Sequence, residues 1–344
     1  MRQGNMKERI EKKRLAILRI LKESERPISS QKIVELLNEI GQDISERTVR
    51  FHLKDMDSDG LTEYIERRGR RITERGLSEV SKARVVDKVG LINSKIDYFS
   101  YKMSFDLSKK TGTVVINISF IPVRDMDRSI KILNHAFEHG FSMGSLIGLY
   151  FPGDLAGHEV IPEGYIGIGT VCSFTLNGVF TGKGIPVHSI FGGLLEIDKG
   201  KPSRFVEIIK YDGTSIDPLE IFIKSGMTDA AGAADTGRGK IGANFLEAPG
   251  AAREEIIFIA KEMNLAGLGT FLTLGWPGHS VLQVPINWGR MGGIVIGGLN
   301  PIAILEESGI DVISKAVSGL VEYESLFPFA NLSERYNSSL KKYY

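Results

Sequence analysis

The sequence predicts a mixed α+β/α/β chain: an N-terminal winged helix-turn-helix, then a connector helix and an internally duplicated two-lobed α/β body. Three observations predict it. Residues 1–76 hold three helical periodicities followed by a short, very basic hairpin. Beyond them, strand-like and helix-like segments recur in one order with Gly, Asn and Pro at matching offsets. Glycine is concentrated there, with 30 of the 39 between residues 140 and 300. The resulting segments are 1–76, a connector at 77–98, the body at 99–330 and a loose polar tail at 331–344.

In the first segment Ile10, Ile17, Leu18 and Leu21 stripe a basic helix. Ile33, Leu36, Leu37 and Ile40 follow at i, i+3, i+4 and i+7, and Ser29 or Ser30 can cap that helix after Pro27. A turn through Gly41 leads to a third helix from Ser45, whose Val49, Leu53 and Met56 make one buried stripe. By the 100° step, Arg47, Arg50 and Lys54 take the opposite side with Phe51 beside them. Ser45 is a good N-cap, and the free N–H groups behind it suit a phosphate. Asp59-Gly60 stops the helix, Leu61 to Glu66 alternates as a strand, and Arg67-Arg68-Gly69-Arg70-Arg71 forms a tight tip. That is the plan of a winged helix that reads double-stranded DNA, with a protein-binding winged helix as the competing reading. Arg47 and Arg50 are then expected on bases, and Arg67, Arg68, Arg70 and Arg71 on phosphates.

Charge agrees with this division. Residues 1–90 carry 21 Lys/Arg against 16 Asp/Glu, and the remainder 22 against 26. A basic module on a mildly acidic body suits a protein that shows one face to a polyanion. The single cysteine, Cys172, excludes an intramolecular disulfide and argues for a reducing cytoplasm. The N-terminus has no apolar signal core, and no apolar run approaches a membrane span.

In the connector, Val85, Val89, Ile92, Ile96 and Phe99 step by 4, 3, 4 and 3, interrupted by Gly90. This helix either lies on the next domain or forms a dimer seam. Tyr101, Met103, Phe105 and Leu107 alternate as a half-buried strand. From Gly112 the duplication begins, with repeats at about 112–230 and 239–315. GTVVINISFIP and GKIGANFLEAP stand 127 residues apart, and the match continues through Ile130/Ile257, Ile132/Ile259, Gly140/Gly267 and Gly148/Gly275. IPVHSIFGG echoes VPINWGRMGG, and DPLEIFIKSGM echoes NPIAILEESGI at an offset of 83. Asp217 and Asn300 read as N-caps before Pro218 and Pro301. Tyr165 to Ser173 and Ile294 to Gly297 read as short strands, and Asn177-Gly178 as a hairpin turn.

Motifs for enzyme chemistry are weak. Gly237 to Gly242 matches GxGxxG, but DAAGAAD before it reads as a loop and a strand follows, which contradicts a dinucleotide fingerprint. His135 and His139 lack an acidic or cysteine partner at metal-ligand spacing and read as surface residues. No nucleophile elbow or phosphate loop occurs. Asn117 and Asn244 interrupt apolar strands at repeat-matched positions, where they either bond neighbouring backbone or line a cleft between lobes. Thr170, Cys172 and Ser173 end a Gly-rich strand, and His188 matches Asn287 with Arg290 just beyond. Such hydroxyls, backbone donors and an arginine suit a small carboxylate ligand. Arg290 is the favoured cation ahead of Lys183, Arg238 and Lys240.

With YKMSFD, GTVVINIS, GLYFPGD, GIGTVCS, GIPVHSIFGG and GGLNPIA in this order behind the winged helix, the chain resembles the NrpR family of archaeal nitrogen-responsive transcriptional repressors. The likeness spans nearly all of residues 10–330. It implies a ribonuclease-R-like winged helix followed by an NrpR effector and dimerisation domain. It further implies a homodimer that binds a palindromic operator of nitrogen-assimilation genes and releases it when 2-oxoglutarate accumulates. 2-Oxoglutarate enters as an effector and no cofactor is implied. The sequence has room for one effector domain where the longer form has two, so a companion NrpR-type protein is a further candidate partner. An α/β enzyme acting on a small carboxylate and a corepressor-type interaction protein are the alternatives.

Overall fold

The computed structural model describes residues 2–343 apart from 25, 40–43, 81–91 and 140, with side-chain surroundings from 13 to 339. Ile40, Gly41, Val85, Val89, Gly90, Gly140 and the side chain of Ile10, all used above, lie outside the described residues. The chain divides into two compact units, residues 1–90 and 91–344.

In the first unit α1 (Arg2–Glu23), α2 (Ser30–Glu39) and α3 (Glu46–Ser58) enclose Ile17, Leu18, Leu21, Ile33, Leu37, Val49, Leu53 and Met56. Ser29 Oγ accepts from the Lys32 N–H at 3.2 Å and Ser45 Oγ from the Thr48 N–H at 3.3 Å. Each helix thus begins where a side chain satisfies an N–H that has no intrahelical partner. β1 (Thr62–Ile65) and β2 (Gly69–Ile72) form the wing, and Ile28 adds a rung by exchanging backbone hydrogen bonds of 3.0 and 2.9 Å with Arg70. A Cβ on Gly69 would stand 2.2 Å from the Ile28 carbonyl oxygen, so this close approach requires glycine. Residues 74–80 are helical (α4) and bring Val80 into the same core.

The second unit opens with α5 (Ile92–Lys102). β3 (Thr113–Pro122) leads through a 3₁₀ turn to α6 (Met126–Glu138), β4 (Leu146–Tyr150), the small ribbon β5 (Leu155–Ala156) and β6 (Glu159–Val160), then β7 (Tyr165–Val171) and α7 (Thr175–Gly182). β8 (His188–Asp198), β9 (Lys201–Lys210), α8 (Pro218–Lys224) and α9 (Ala230–Thr236) follow. β10 (Gly239–Pro249) leads through another 3₁₀ turn to α10 (Arg253–Leu265), β11 (Phe271–Leu274), β12 (Arg290–Ile296) and α11 (Asn300–Glu307). β13 (Ile313–Glu322), β14 (Phe327–Pro328) and α12 (Leu332–Tyr343) complete it.

Two antiparallel five-stranded sheets result, in the orders β13-β3-β7-β4-β14 and β11-β12-β10-β8-β9. Their cores are shared. One apolar cluster joins α6 with α11 and with Ile241, Ala243 and Phe245 of β10. The other joins α7 with α10 and with Ile116, Ile118 and Phe120 of β3. A cut between the sheets would expose both clusters, which is why residues 91–344 hold together as one body.

Several expectations are corrected. Asn177-Gly178 lies inside α7, where Gly178 admits Met103 of the α5 end: a Cβ would stand 2.5 Å from the Met103 terminal methyl. The alternation from Tyr101 to Leu107 is the last turn of α5 and a loop. The tail is not loose, because α12 buries Leu332 and Tyr336. DAAGAAD is helical in α9, although the strand expected after Gly242 is present as β10. Asn300 is not a helix cap: its side chain grips the N–H and C=O of Gly242 at 2.8 and 3.0 Å. Arg70 and Arg71 are in β2, so the wing tip is only residues 66–68, with Arg67 at φ +59°.

Candidate functional site

On α3 the cap and the buried stripe fix which side faces outward. Arg47, Arg50, Phe51 and Lys54 are all exposed on it. Arg50 donates to Glu46 Oε1 at 2.7 Å and to Ser30 Oγ at 3.2 Å, which ties the start of α3 to the start of α2. The wing arginines separate into two kinds. Arg70 donates to Asp57 at 2.9 Å and lies 5.3 Å from the Tyr64 ring centre, bracing the wing against α3, and Arg71 pairs across the hairpin with Glu63. Arg67 and Arg68 are exposed at the tip and make no ion pair among the described residues.

In the second unit, five of the eight residues singled out for a carboxylate ligand do come together. Asn117 donates to Thr170 Oγ1 at 3.4 Å and accepts from the Val317 N–H at 3.1 Å. Asn244 accepts from the Tyr211 hydroxyl at 2.5 Å and donates to Ser173 Oγ. Ser173, just beyond β7, thereby links the first sheet to β10 of the second. All are buried, and burial pushes the Cys172 thiol up to about 12, so it is no nucleophile at neutral pH. These residues form a buried, mutually hydrogen-bonded polar layer. The other three are elsewhere: His188 and Asn287 are exposed, and Arg290 donates to the nearly buried Glu247 at 2.7 Å. Arg290 therefore arrives at its surroundings already neutralised.

A cavity that no sequence motif marks lies against this layer. About 650 Å³ in volume, it is walled by α5, the start of α8 and β13. At its wall β13 loses register between Lys315 and Gly319, and Val317 takes φ +48°. A β-branched residue in the left-handed region is strained, and such strain persists only where surrounding bonds impose it. Here Asn117 holds the Val317 N–H and Glu220 accepts from the Ala316 N–H. Asp217 caps α8 by accepting from the Leu219 N–H at 2.8 Å. It is buried, and burial pushes its carboxyl up to about 7, while Lys95 works in the opposite direction. Burial also raises Glu220. Lys95 and Lys315 line the same cavity and make no ion pair among the described residues. The space offers two lysines and the neutralisable carboxyl of Asp217, with Glu220 and Glu159 also on its wall, a set of donors and acceptors that can meet a small polar ligand. No trio of metal-ligating side chains occurs among the described residues, nor any helix long and apolar enough to cross a membrane.

Comparison with known proteins places these features in a family context. Residues 89–328 match the model for NrpR regulatory domains NRD1 and 2, and residues 15–80 that for the ribonuclease R winged-helix domain. The global nitrogen regulator NrpRI of Methanosarcina mazei is 34% identical over 93% of this chain and 99% of its own. The global nitrogen regulator NrpR of Methanocaldococcus jannaschii is 33% identical over 92% of this chain, which spans 55% of that relative. A crystal structure of a nitrogen repressor-like protein from Methanococcus jannaschii superposes with a TM-score of 0.59 at 28% identity, covering 69% of this chain and 97% of that one.

Proposed function

We propose that this chain, which belongs to the NrpR family and is a nitrogen-regulatory transcriptional repressor rather than an enzyme, acts as a homodimer on a two-fold operator and is released by 2-oxoglutarate. The observation that carries the DNA half is the face of α3: a Ser45-capped helix with Arg47, Arg50, Phe51 and Lys54 outside the core. In this reading a dimer sets two such helices about 34 Å apart in successive major grooves. Arg47 and Arg50 contact bases, and Arg67 and Arg68 hold phosphate.

For the effector half, the cavity between α5, α8 and β13 is our choice. Lys95 and Lys315 would meet the two carboxylates, and protonated Asp217 would donate to one of them. α5 is the first described element after the winged-helix unit in the chain, so a ligand against it is well placed to bias the connector. The ligand then weakens DNA binding only by its preference for one state of the body over the other. We also read the body as a duplication. β3-3₁₀-α6 and β10-3₁₀-α10 share an order, and Thr175 Oγ1 bonds the N–H and C=O of Val115 (3.1 and 2.9 Å) as Asn300 does those of Gly242. Val115 and Gly242 stand 127 residues apart, the spacing of the two Gly-Asn-Pro strands. On that register α7 answers α11, and DPLEIFIKSGM has no partner in NPIAILEESGI. A companion NrpR-type protein is the second partner we propose, given that one relative is nearly twice the length matched.

The test is an electrophoretic mobility shift of the full chain on nitrogen-gene promoter duplexes, with and without 2-oxoglutarate. A retained shift at millimolar 2-oxoglutarate would sink the effector half alone, and no shift at all the DNA half.

A further inference from the structure

Phe51 is out of place by any account that considers only folding. It is 62% exposed, while Val49, Leu53 and Met56 of the same helix are fully buried. Among the exposed residues of α3 it is the one apolar side chain, and its ring contact is an edge approach to His52 at 5.7 Å. Single exposed apolar residues are common on protein surfaces. This one lies among cations, with Arg47 one turn before it, Lys54 nearly one turn after and Arg50, held by Glu46, adjacent. A face of that charge selects a polyanion, and the sole apolar side chain within it then needs an apolar group on that polyanion. On the base edges of the major groove there is one such group, the C5-methyl of thymine.

We propose that Phe51 is a specificity residue that reads a thymine C5-methyl in the operator. The proposal rests on the DNA-binding reading above and supplies base chemistry that reading leaves open. Arginines at Arg47 and Arg50 choose hydrogen-bonding edges, and Phe51 adds a requirement that a demethylated pyrimidine fails.

The experiment uses the full chain and a duplex enriched by it from a randomised pool. Each thymine is replaced singly by uracil, which removes the methyl and leaves the pairing edge intact. Dissociation constants are measured for the natural chain, Phe51→Ala and Phe51→Leu. The natural chain is expected to lose about fourfold at one thymine of each half-site, the worth of one buried methyl. Phe51→Ala should bind the thymine and uracil forms of that site equally, and Phe51→Leu should keep part of the difference. Because the ring is exposed, the melting temperatures of all three should agree. An undiminished thymine preference in Phe51→Ala, or wild-type affinity of that variant, overturns the proposal and leaves DNA binding standing. Failure to enrich any duplex overturns both.

Discussion

The four wing arginines should not behave alike, and the difference is measurable as a salt slope. Arg67 and Arg68 stand at the tip with no ion pair among the described residues, whereas Arg70 is held by Asp57 and Arg71 by Glu63. An arginine that neutralises a phosphate releases counterions and contributes about 0.9 to the slope of log K against log salt. Arg68→Ala removes one phosphate contact from each half-site of the dimer and should therefore flatten the slope by about 1.8, which over a fourfold rise in salt spares the variant about 12-fold of the loss the natural chain suffers. Arg67→Ala with Arg68→Ala should flatten it by about 3.6, or about 150-fold over the same range. To reach a phosphate, Arg71 must leave Glu63, and the freed carboxylate opposes the gain. Arg71→Ala should leave the slope nearly unchanged. Arg70→Ala removes a partly buried pair and the Tyr64 contact, so it should cost the wing about 1 kcal/mol of stability and lower affinity at every salt concentration. Fluorescence anisotropy titrations from about 50 to about 200 mM salt would settle it. Arg70→Ala flattening the slope as much as Arg68→Ala would refute the division between tip and brace.

Three further outcomes follow from burial. The raised Asp217 carboxyl keeps its proton in the folded state between about pH 4 and about 7, where the unfolded chain has lost it, so stability falls as pH rises through that window. Asp217→Asn should abolish this fall, worth at most about 4 kcal/mol, and should remove any weakening of 2-oxoglutarate release above pH 7, which in the natural chain should approach tenfold per pH unit. His52 is buried in α3 with no hydrogen-bond partner for Nδ1 among the described residues, and burial, with Lys13 and Arg14 nearby, lowers its pKa. Below about pH 6.5 the unfolded state takes the proton first, so the winged-helix unit should lose stability on acidification, and His52→Leu should lose less. A Cβ on Gly298 would stand 2.1 Å from the Val171 carbonyl oxygen and 2.6 Å from Asn117 Nδ2, so Gly298→Ala should cost about 3 kcal/mol in urea unfolding. Gly182→Ala, with open space around it, should be neutral or better.

What the sequence disclosed and withheld follows from the range of the interactions. The caps at Ser29 and Ser45 and the stripes of α2 and α3 are local, so spacing alone located them. The helix at the C-terminus also had a local signal, with Leu332, Tyr336 and Leu340 at i, i+4 and i+8, overlooked because its other residues are polar. Asn177-Gly178 misled for a different reason. The pair has turn chemistry, but Gly178 is small so that Met103 can approach, and Asn177 donates to Ser189 at 2.9 Å, both contacts made only in the folded chain.

The cavity is the extreme of the same rule. Lys95, Asp217 and Lys315 are separated by about a hundred residues at each step and share no spacing that a motif could record. Asp217 was visible as a cap before Pro218, and a cap is ordinarily an exposed carboxylate whose charge favours the helix end. Sequence shows the cap; only packing shows that this one is buried, with its charge disfavoured. The same carboxyl thus caps the start of α8 and, with burial pushing it up to about 7, shares a cavity with two lysines that make no ion pair among the described residues. Arg290 shows the converse error. Its place before a glycine pair suggested a free cation, and Glu247, 43 residues earlier in the chain, had already taken it. For charged residues in a mildly acidic body, a partner elsewhere in the chain decides availability, and that partner is what a linear reading cannot supply.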